Sequence, residues 1–276
     1  MSEFPAIIWG TRSISRQKLD QYVGAVIKLL KGRGIGVGDR LVLVDQTSVE
    51  YVIVLIALWR MGAVACPLNP HWPYETISQA VSSLNPKAII SNVQQVNSKK
   101  ISVPVLQFND LIAYDVRQSE PVAAAEIPLN QEATIIWTSG SNGQPKAVVH
   151  TWGNHVYSAK GSQEMIPLKA GDRWLLSLPL YHVSGISIVV RCLLAGATVV
   201  VSRDEGLAQT ILKTKPTHLS LVTTQLYRFL SFPNVSIGNP ESGPPINTFG
   251  GDIPYSFKRP LRSLIILSIF LVSALS

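Results

Sequence analysis

The sequence predicts an α/β fold with mostly parallel sheets, and three observations carry that reading. Short apolar, β-rich runs alternate with segments of helical periodicity through most of the chain, an order that buries a parallel sheet between helices. A glycine- and hydroxyl-rich run, Thr138-Ser139-Gly140-Ser141-Asn142-Gly143-Gln144-Pro145-Lys146, directly follows the strand-like Ala133–Trp137, and ligands of open α/β sheets collect at the carboxyl ends of strands. The length of 276 residues, with 46% hydrophobic and 15% charged residues, allows a sizeable core and argues against disorder.

Taken in order, Ser15–Lys31 carries Leu19, Tyr22, Val23, Val26, Ile27 and Leu30 at helical spacing, so one face is buried. Gly34-Ile35-Gly36-Val37-Gly38 comes after that helix and before the strand Leu41–Val44. A dinucleotide fingerprint needs the reverse order, so these glycines read as a helix stop and a turn. Tyr51–Trp59, bounded by Glu50 and Arg60, is too short to cross a bilayer and reads as a core helix. The strand Ala63–Leu68 ends in the turn Asn69-Pro70, and the helix Tyr74–Leu84 follows. Strands are expected at Ala88–Ser91 and Val103–Phe108, and Gln118–Gln131, rich in Ala, Pro and Glu, reads as a connector between two units.

Beyond the glycine-rich run, Ala147-Val148-Val149 leads into a helix from Thr151. Strands are then expected at Trp174–Leu178, Ala197–Val201 and His218–Val222, with helices at Ile186–Leu194, Glu205–Lys213 and Gln225–Leu230. No internal repeat or low-complexity tract interrupts this order.

The run Thr138–Lys146 has the chemistry of a polyphosphate site. Glycines let backbone N–H groups approach oxygens, hydroxyls add donors, and Lys146 adds a point charge. A solvated turn would need neither so many donors nor the terminal lysine. It is not a Walker A loop: the residues between Gly140 and Lys146 do not end in glycine, and Ala147 stands where that loop has a magnesium-binding Ser or Thr.

A formal net charge of +7 admits an anionic ligand, but the lysines and arginines are scattered. No nucleic-acid motif accompanies them, so no nucleic-acid partner is expected. Cys66 and Cys192 lie far apart in apolar surroundings and read as buried free thiols of a reducing compartment. With no signal-peptide pattern and no membrane-spanning run, a cytoplasmic location is expected. His150 and His155 lack the i, i+4 spacing of a metal pair, and no zinc site is expected.

His182 alone means little, since a single histidine is more often structural than catalytic. Its setting, Leu178-Pro179-Leu180-Tyr181-His182-Val183-Ser184-Gly185, follows a strand and precedes a helix, which again places it at a carboxyl end. Within that otherwise apolar helix stands Arg191. An arginine there faces solvent, pairs with a structural carboxylate or takes an anionic group of a substrate, because burying its charge unpaired is costly.

The run Thr138–Lys146 resembles the phosphate-binding loop of the adenylate-forming enzymes, the group of acyl-CoA synthetases, luciferases and peptide-synthetase adenylation domains. Asn142 and Ala147 depart from the Thr and Gly of that pattern. Leu178–Gly185 is similar to the family's second recurrent motif, whose aromatic or His residue borders the acyl pocket. With Arg191 and Leu194-Ala195-Gly196-Ala197 it resembles the o-succinylbenzoate–CoA ligases within the family, which activate a dicarboxylate in menaquinone or phylloquinone biosynthesis. Thr217–Leu226 is similar to their pocket strand and following helix, although Thr223 stands where the family often has Pro. Thr248-Phe249-Gly250-Gly251-Asp252-Ile253-Pro254 resembles the Gly-Gly-Ala-x-Pro turn that lines the acyl and adenine pocket.

The resemblance implies the large N-terminal domain of an adenylate-forming enzyme, incomplete, built of layered α/β/α subdomains over residues 1–255. It implies ATP and CoA as co-substrates and a small carboxylic acid, a dicarboxylate if Arg191 clamps its second carboxylate. The roles carried over are phosphate binding for Thr138, Ser139, Gly140, Ser141, Asn142, Gly143 and Lys146. Substrate binding falls to His182, Ser184, Arg191, Ser220, Thr223, Gly250 and Gly251, and catalysis to Lys146 and His182. Magnesium is implied as a bridge between phosphates, with its protein ligand expected in a segment that this sequence does not show.

Past Tyr255 the resemblance stops. Residues 256–276 hold Lys258, Arg259 and Arg262 and then the apolar Leu264–Leu275. Unrelated sequence from a shifted reading frame is the favoured reading; a buried helix and a membrane-surface segment are the others. Two functions follow: an ATP-dependent acid–CoA ligase, or a nucleotide-binding remnant of one that is catalytically silent.

Overall fold

The computed structural model describes residues 4–94, 96, 101–113, 126–138, 146–202, 206–230, 247–249 and 263–267. The chain opens with the hairpin β1 (Ile7–Trp9) and β2 (Arg12–Ile14), followed by α1 (Arg16–Gly32) and β3 (Arg40–Val44). Helix α2 (Val49–Met61), β4 (Val64–Leu68), α3 (Tyr74–Leu84), β5 (Ala88–Ser91), β6 (Val105–Leu106) and α4 (Phe108–Ala113) continue it. The second half contains β7 (Glu132–Thr138), β8 (Lys146–Thr151), α5 (Trp152–Met165), β9 (Arg173–Leu176), α6 (Val183–Ala195) and β10 (Thr198–Val201). Then come α7 (Gly206–Thr214), β11 (His218–Val222), α8 (Thr223–Leu230), β12 (Asn247–Phe249) and β13 (Ser263–Leu267).

These strands form two sheets, ordered β12-β13-β11-β9-β10-β1-β2 and β6-β5-β3-β4-β7-β8. Pairing is parallel except at the edges, β1 with β2 and β7 with β8. Side-chain alternation assigns each face. On β3, Leu41 and Leu43 join the large core shared with α1, α2, α5 and α6, whereas Val42 and Val44 join Ile77, Ala80, Val81 and Leu84 of α3. On the other sheet, Trp174 and Leu176 face the shared core, while Leu175, Val200, Leu219 and Leu221 face Leu207 and Ile211 of α7. Helices α1, α2, α5 and α6 are therefore sandwiched between two sheets, each covered outside by other helices, which is the layered α/β architecture expected.

Helix α2 is buried along nearly its whole length because it lies in that central layer. Ser48 accepts a hydrogen bond from Tyr51 N at 3.1 Å to cap its start, and Gly62 ends it in the left-handed region at φ 82°. Arg60, in its last turn, pairs with Asp20 of α1 at 2.7 Å. Gly34 and Gly38 adopt φ 74° and 79°, and Gly36 N donates to Asp39 Oδ2 at 2.8 Å, so the glycine cluster is the helix stop and turn. Among the described residues no helix is long and apolar enough to cross a membrane.

Three expectations change. The strand expected over Val103–Phe108 is confined to Val105–Leu106, and Phe108 instead begins α4. Burial of Phe108 and Leu111 at i, i+3 explains the switch, with the Phe108 ring stacked on Tyr51 at 5.0 Å. The β1–β2 hairpin has no counterpart in the sequence reading. Finally, Ser263–Leu267 forms β13, parallel to both β11 and β12. The β-branched, apolar run Ser-Leu-Ile-Ile-Leu suits a strand paired on both edges, so a helix does not describe these residues. Most of the expected connector, 118–131, and the basic residues Lys258, Arg259 and Arg262 lie outside the described residues.

Candidate functional site

Strand β7 delivers the chain to the glycine-rich run, and β8 carries it away. Ile135 pairs with Val149, Ile136 with Val148, Trp137 with Ala147 and Thr138 with Lys146. Thr138 Oγ1 donates to Lys146 O at 3.4 Å, closing the neck of the hairpin. Lys146 is exposed and makes the first residue of β8, at the end of the run. Ser139, Gly140, Ser141, Asn142 and Gly143 lie outside the described residues.

Behind this neck, β7 is anchored by buried polar contacts. Trp59 Nε1 donates to Thr134 Oγ1 at 3.3 Å, and that hydroxyl lies 3.0 Å from His155 Nε2. Burial, and secondarily His150, pull the His155 pKa down to about 4, so the ring is neutral and suited to a hydroxyl partner. The rings of His150 and His155 are 5.6 Å apart. This cluster was missed in the sequence, where these histidines were weighed only as metal ligands. Among the described residues no group of three or more His, Cys, Asp or Glu gathers as a metal site.

The second group lies on the other sheet. The turn after β9 is closed by His182 N donating to Pro179 O at 3.1 Å, and His182 then caps α6 without a side-chain bond. Its ring is 4.7 Å from that of Tyr181 at the surface. Ser184, half-buried, is in the first turn of α6. Gly185 fits there because it has no side chain: a Cβ would collide with the carbonyl groups of Leu178 and Pro179.

Arg191, on α6, is half-buried with its guanidinium carbon 5.4 Å from the centre of the Trp174 ring. Its Nε is buried and has no hydrogen-bond partner among the described residues, and desolvation lowers the pKa of the group. Trp174 is fully buried on β9, and its Nε1–H donates to Ser220 Oγ on β11 at 3.1 Å. Arg191 and Ser220, both singled out in the sequence, thus meet around a tryptophan that was not. The contact partners belong to different elements, so no local sequence signal pairs them. Ser177 Oγ donates to Ser220 O, and Gln225 Nε2 donates to Ser177 O at 3.0 Å, tying the ends of β9 and β11 together. Thr223 is exposed at the start of α8. Gly250 and Gly251 directly follow β12 and lie outside the described residues.

A family model described as AMP-binding enzyme matches residues 1–263 of this chain. The chain belongs to the AMP-binding enzyme family. Among individual members, it is 32% identical over 230 residues to the 2-succinylbenzoate–CoA ligase of Salmonella typhimurium, covering 83% of this chain and 48% of that protein. It is similar to a variant of E. coli MenE with bound OSB-AMS, with TM-score 0.70 and 27% identity over 83% of this chain and 49% of the other. The Bacillus subtilis o-succinylbenzoate coenzyme A synthetase in complex with ATP and magnesium shares the fold, with TM-score 0.72 and 24% identity over 83% and 62% of the two chains. This AMP-binding family chain spans about half the length of the curated relatives it matches, and the family match runs past Tyr255 as far as residue 263.

Proposed function

We propose that this chain serves an ATP-dependent acid–CoA ligase acting on a dicarboxylic acid of the 2-succinylbenzoate type. The observation that carries the reading is Arg191. It is a half-buried guanidinium on a ligase-family scaffold whose Nε has no partner among the described residues, and an arginine so placed is matched by a carboxylate. Similarity to ligases named for 2-succinylbenzoate supports this acid.

In the reaction, a carboxylate oxygen of the acid attacks the α-phosphorus of ATP. The oxygen–phosphorus bond forms as the bond to pyrophosphate breaks, leaving an acyl-adenylate. The CoA thiolate then attacks the acyl carbon, and the carbon–oxygen bond to AMP breaks. Thr138, Ser139, Gly140, Ser141, Asn142, Gly143 and Lys146 are assigned to the β- and γ-phosphates, where Lys146 offsets the charge of the departing pyrophosphate. Arg191, with His182, Ser184, Thr223, Gly250 and Gly251 around the acid, fixes it in line with the α-phosphorus. Magnesium is expected to ride on the phosphates, and no described residue is assigned to it. Two buried free thiols suit a cytoplasmic setting. The family domain is assigned to residues 1–255 and continues into 256–276 at least as far as β13, which pairs with β11 and β12.

Pyrophosphate release measured with ATP, magnesium and 2-succinylbenzoate, with and without CoA, tests the proposal. Release that depends on the acid is expected. Saturable ATP binding without release would mark a silent nucleotide-binding scaffold instead.

A further inference from the structure

Arg191 lies on the largely apolar α6, and among the described residues the Trp174 ring face is what it packs on. Trp174 is held on several sides: it sits between Val199 of β10 and His218 of β11 in register. The His218 ring lies 5.2 Å from it at 31°. Its ring N–H is committed to Ser220 Oγ, so the indole cannot turn without leaving a buried donor unpaired. A guanidinium held through a ring face is attracted by the ring quadrupole and spends none of its N–H donors on the contact.

We propose that Trp174 is a positioning residue for the anion site at Arg191, and that Ser220 acts by locking the indole. This rests on the reading that Arg191 receives a carboxylate of the acid. Trp174 does not touch the acid. It sets the direction of the guanidinium, so that the N–H fork points at the ligand before the ligand arrives. Preorganisation of this kind raises affinity because the side chain does not have to be ordered on binding.

The test is a double-mutant cycle on the full chain, with 2-succinylbenzoate as the titrated probe and ATP affinity as the control. Trp174→Leu is expected to weaken binding of the acid by roughly three- to tenfold, the range of a partly desolvated cation–π contact, and to leave ATP affinity unchanged. In the Arg191→Gln background, where no cation faces the ring, the same change should cost nothing further, because the residue it orients is already gone. Trp174→Phe fills most of the space and keeps a weaker ring face. Its loss should be smaller in the parent chain and absent beside Arg191→Gln, so the cycle is readable even if the Leu variant does not fold. Equal losses in both backgrounds, or no loss in the parent, would overturn the positioning role while leaving the acid site standing. A parent chain that binds ATP but shows no saturable binding of 2-succinylbenzoate would overturn the acid site itself, and the positioning role with it.

Discussion

Thr134 Oγ1 on β7 lies 3.0 Å from His155 Nε2 on α5, inside the core that backs the phosphate run. The same hydroxyl accepts from Trp59 Nε1, so one threonine joins β7 to both α2 and α5. The strand that carries Thr138 is therefore fixed by polar bonds as well as by packing.

This arrangement makes stability depend on pH. The folded pKa of His155 is about 4, below the ordinary value of 6.5. Between those values the unfolded chain binds a proton that the folded chain refuses. The contribution of His155 is thus complete above about pH 6.5 and is lost as pH falls through 4, amounting to up to about 3 kcal/mol. Urea unfolding of the parent and of His155→Gln from pH 7 to pH 4 should show the parent losing more stability than the variant. Parallel profiles would contradict the assignment.

Gly185 stands against the carbonyl groups of Leu178 and Pro179. Gly185→Ala must push the turn that carries His182 away from α6, at a cost of roughly 1–3 kcal/mol. Thermal unfolding reads the cost, and an unchanged Tm would mean that the turn has room to move.

Ser48 caps α2 by accepting from Tyr51 N at 3.1 Å. Replacing it with Ala should cost about 1 kcal/mol. Because α2 lies in the central layer, the loss should appear as global destabilisation in a denaturant titration rather than as fraying of one helix.

Much of the fold was legible because burial writes itself into short-range pattern. The apolar stretch Tyr51–Trp59 of α2 and the runs of β3, β4, β7 and β11 could be read directly, since a parallel strand covered on both faces is apolar on both. What escaped depends on distant partners. β1 is only Ile7–Trp9, and it is a strand because Val199 and Val200 of β10 pair with it. Phe108 belongs to a helix because Tyr51 receives its ring. At the site, the residue types of the phosphate run and Arg191 were visible as chemistry out of place. Trp174 was not, since a tryptophan in an apolar strand looks like core until the guanidinium above it is seen. The anchoring role of His155 stayed hidden for the same reason: Thr134 lies on another element.

The central claim is that the run bounded by Thr138 and Lys146 grips the phosphates of a nucleotide triphosphate, and ATP binding to Lys146→Ala tests it most directly. The side chain is exposed at the start of an edge strand, so the variant should fold with an unchanged Tm. A charge-assisted phosphate contact is worth about 1.5–3 kcal/mol, so the dissociation constant for ATP should rise by roughly tenfold or more. A folded variant that binds ATP as tightly as the parent would contradict the account.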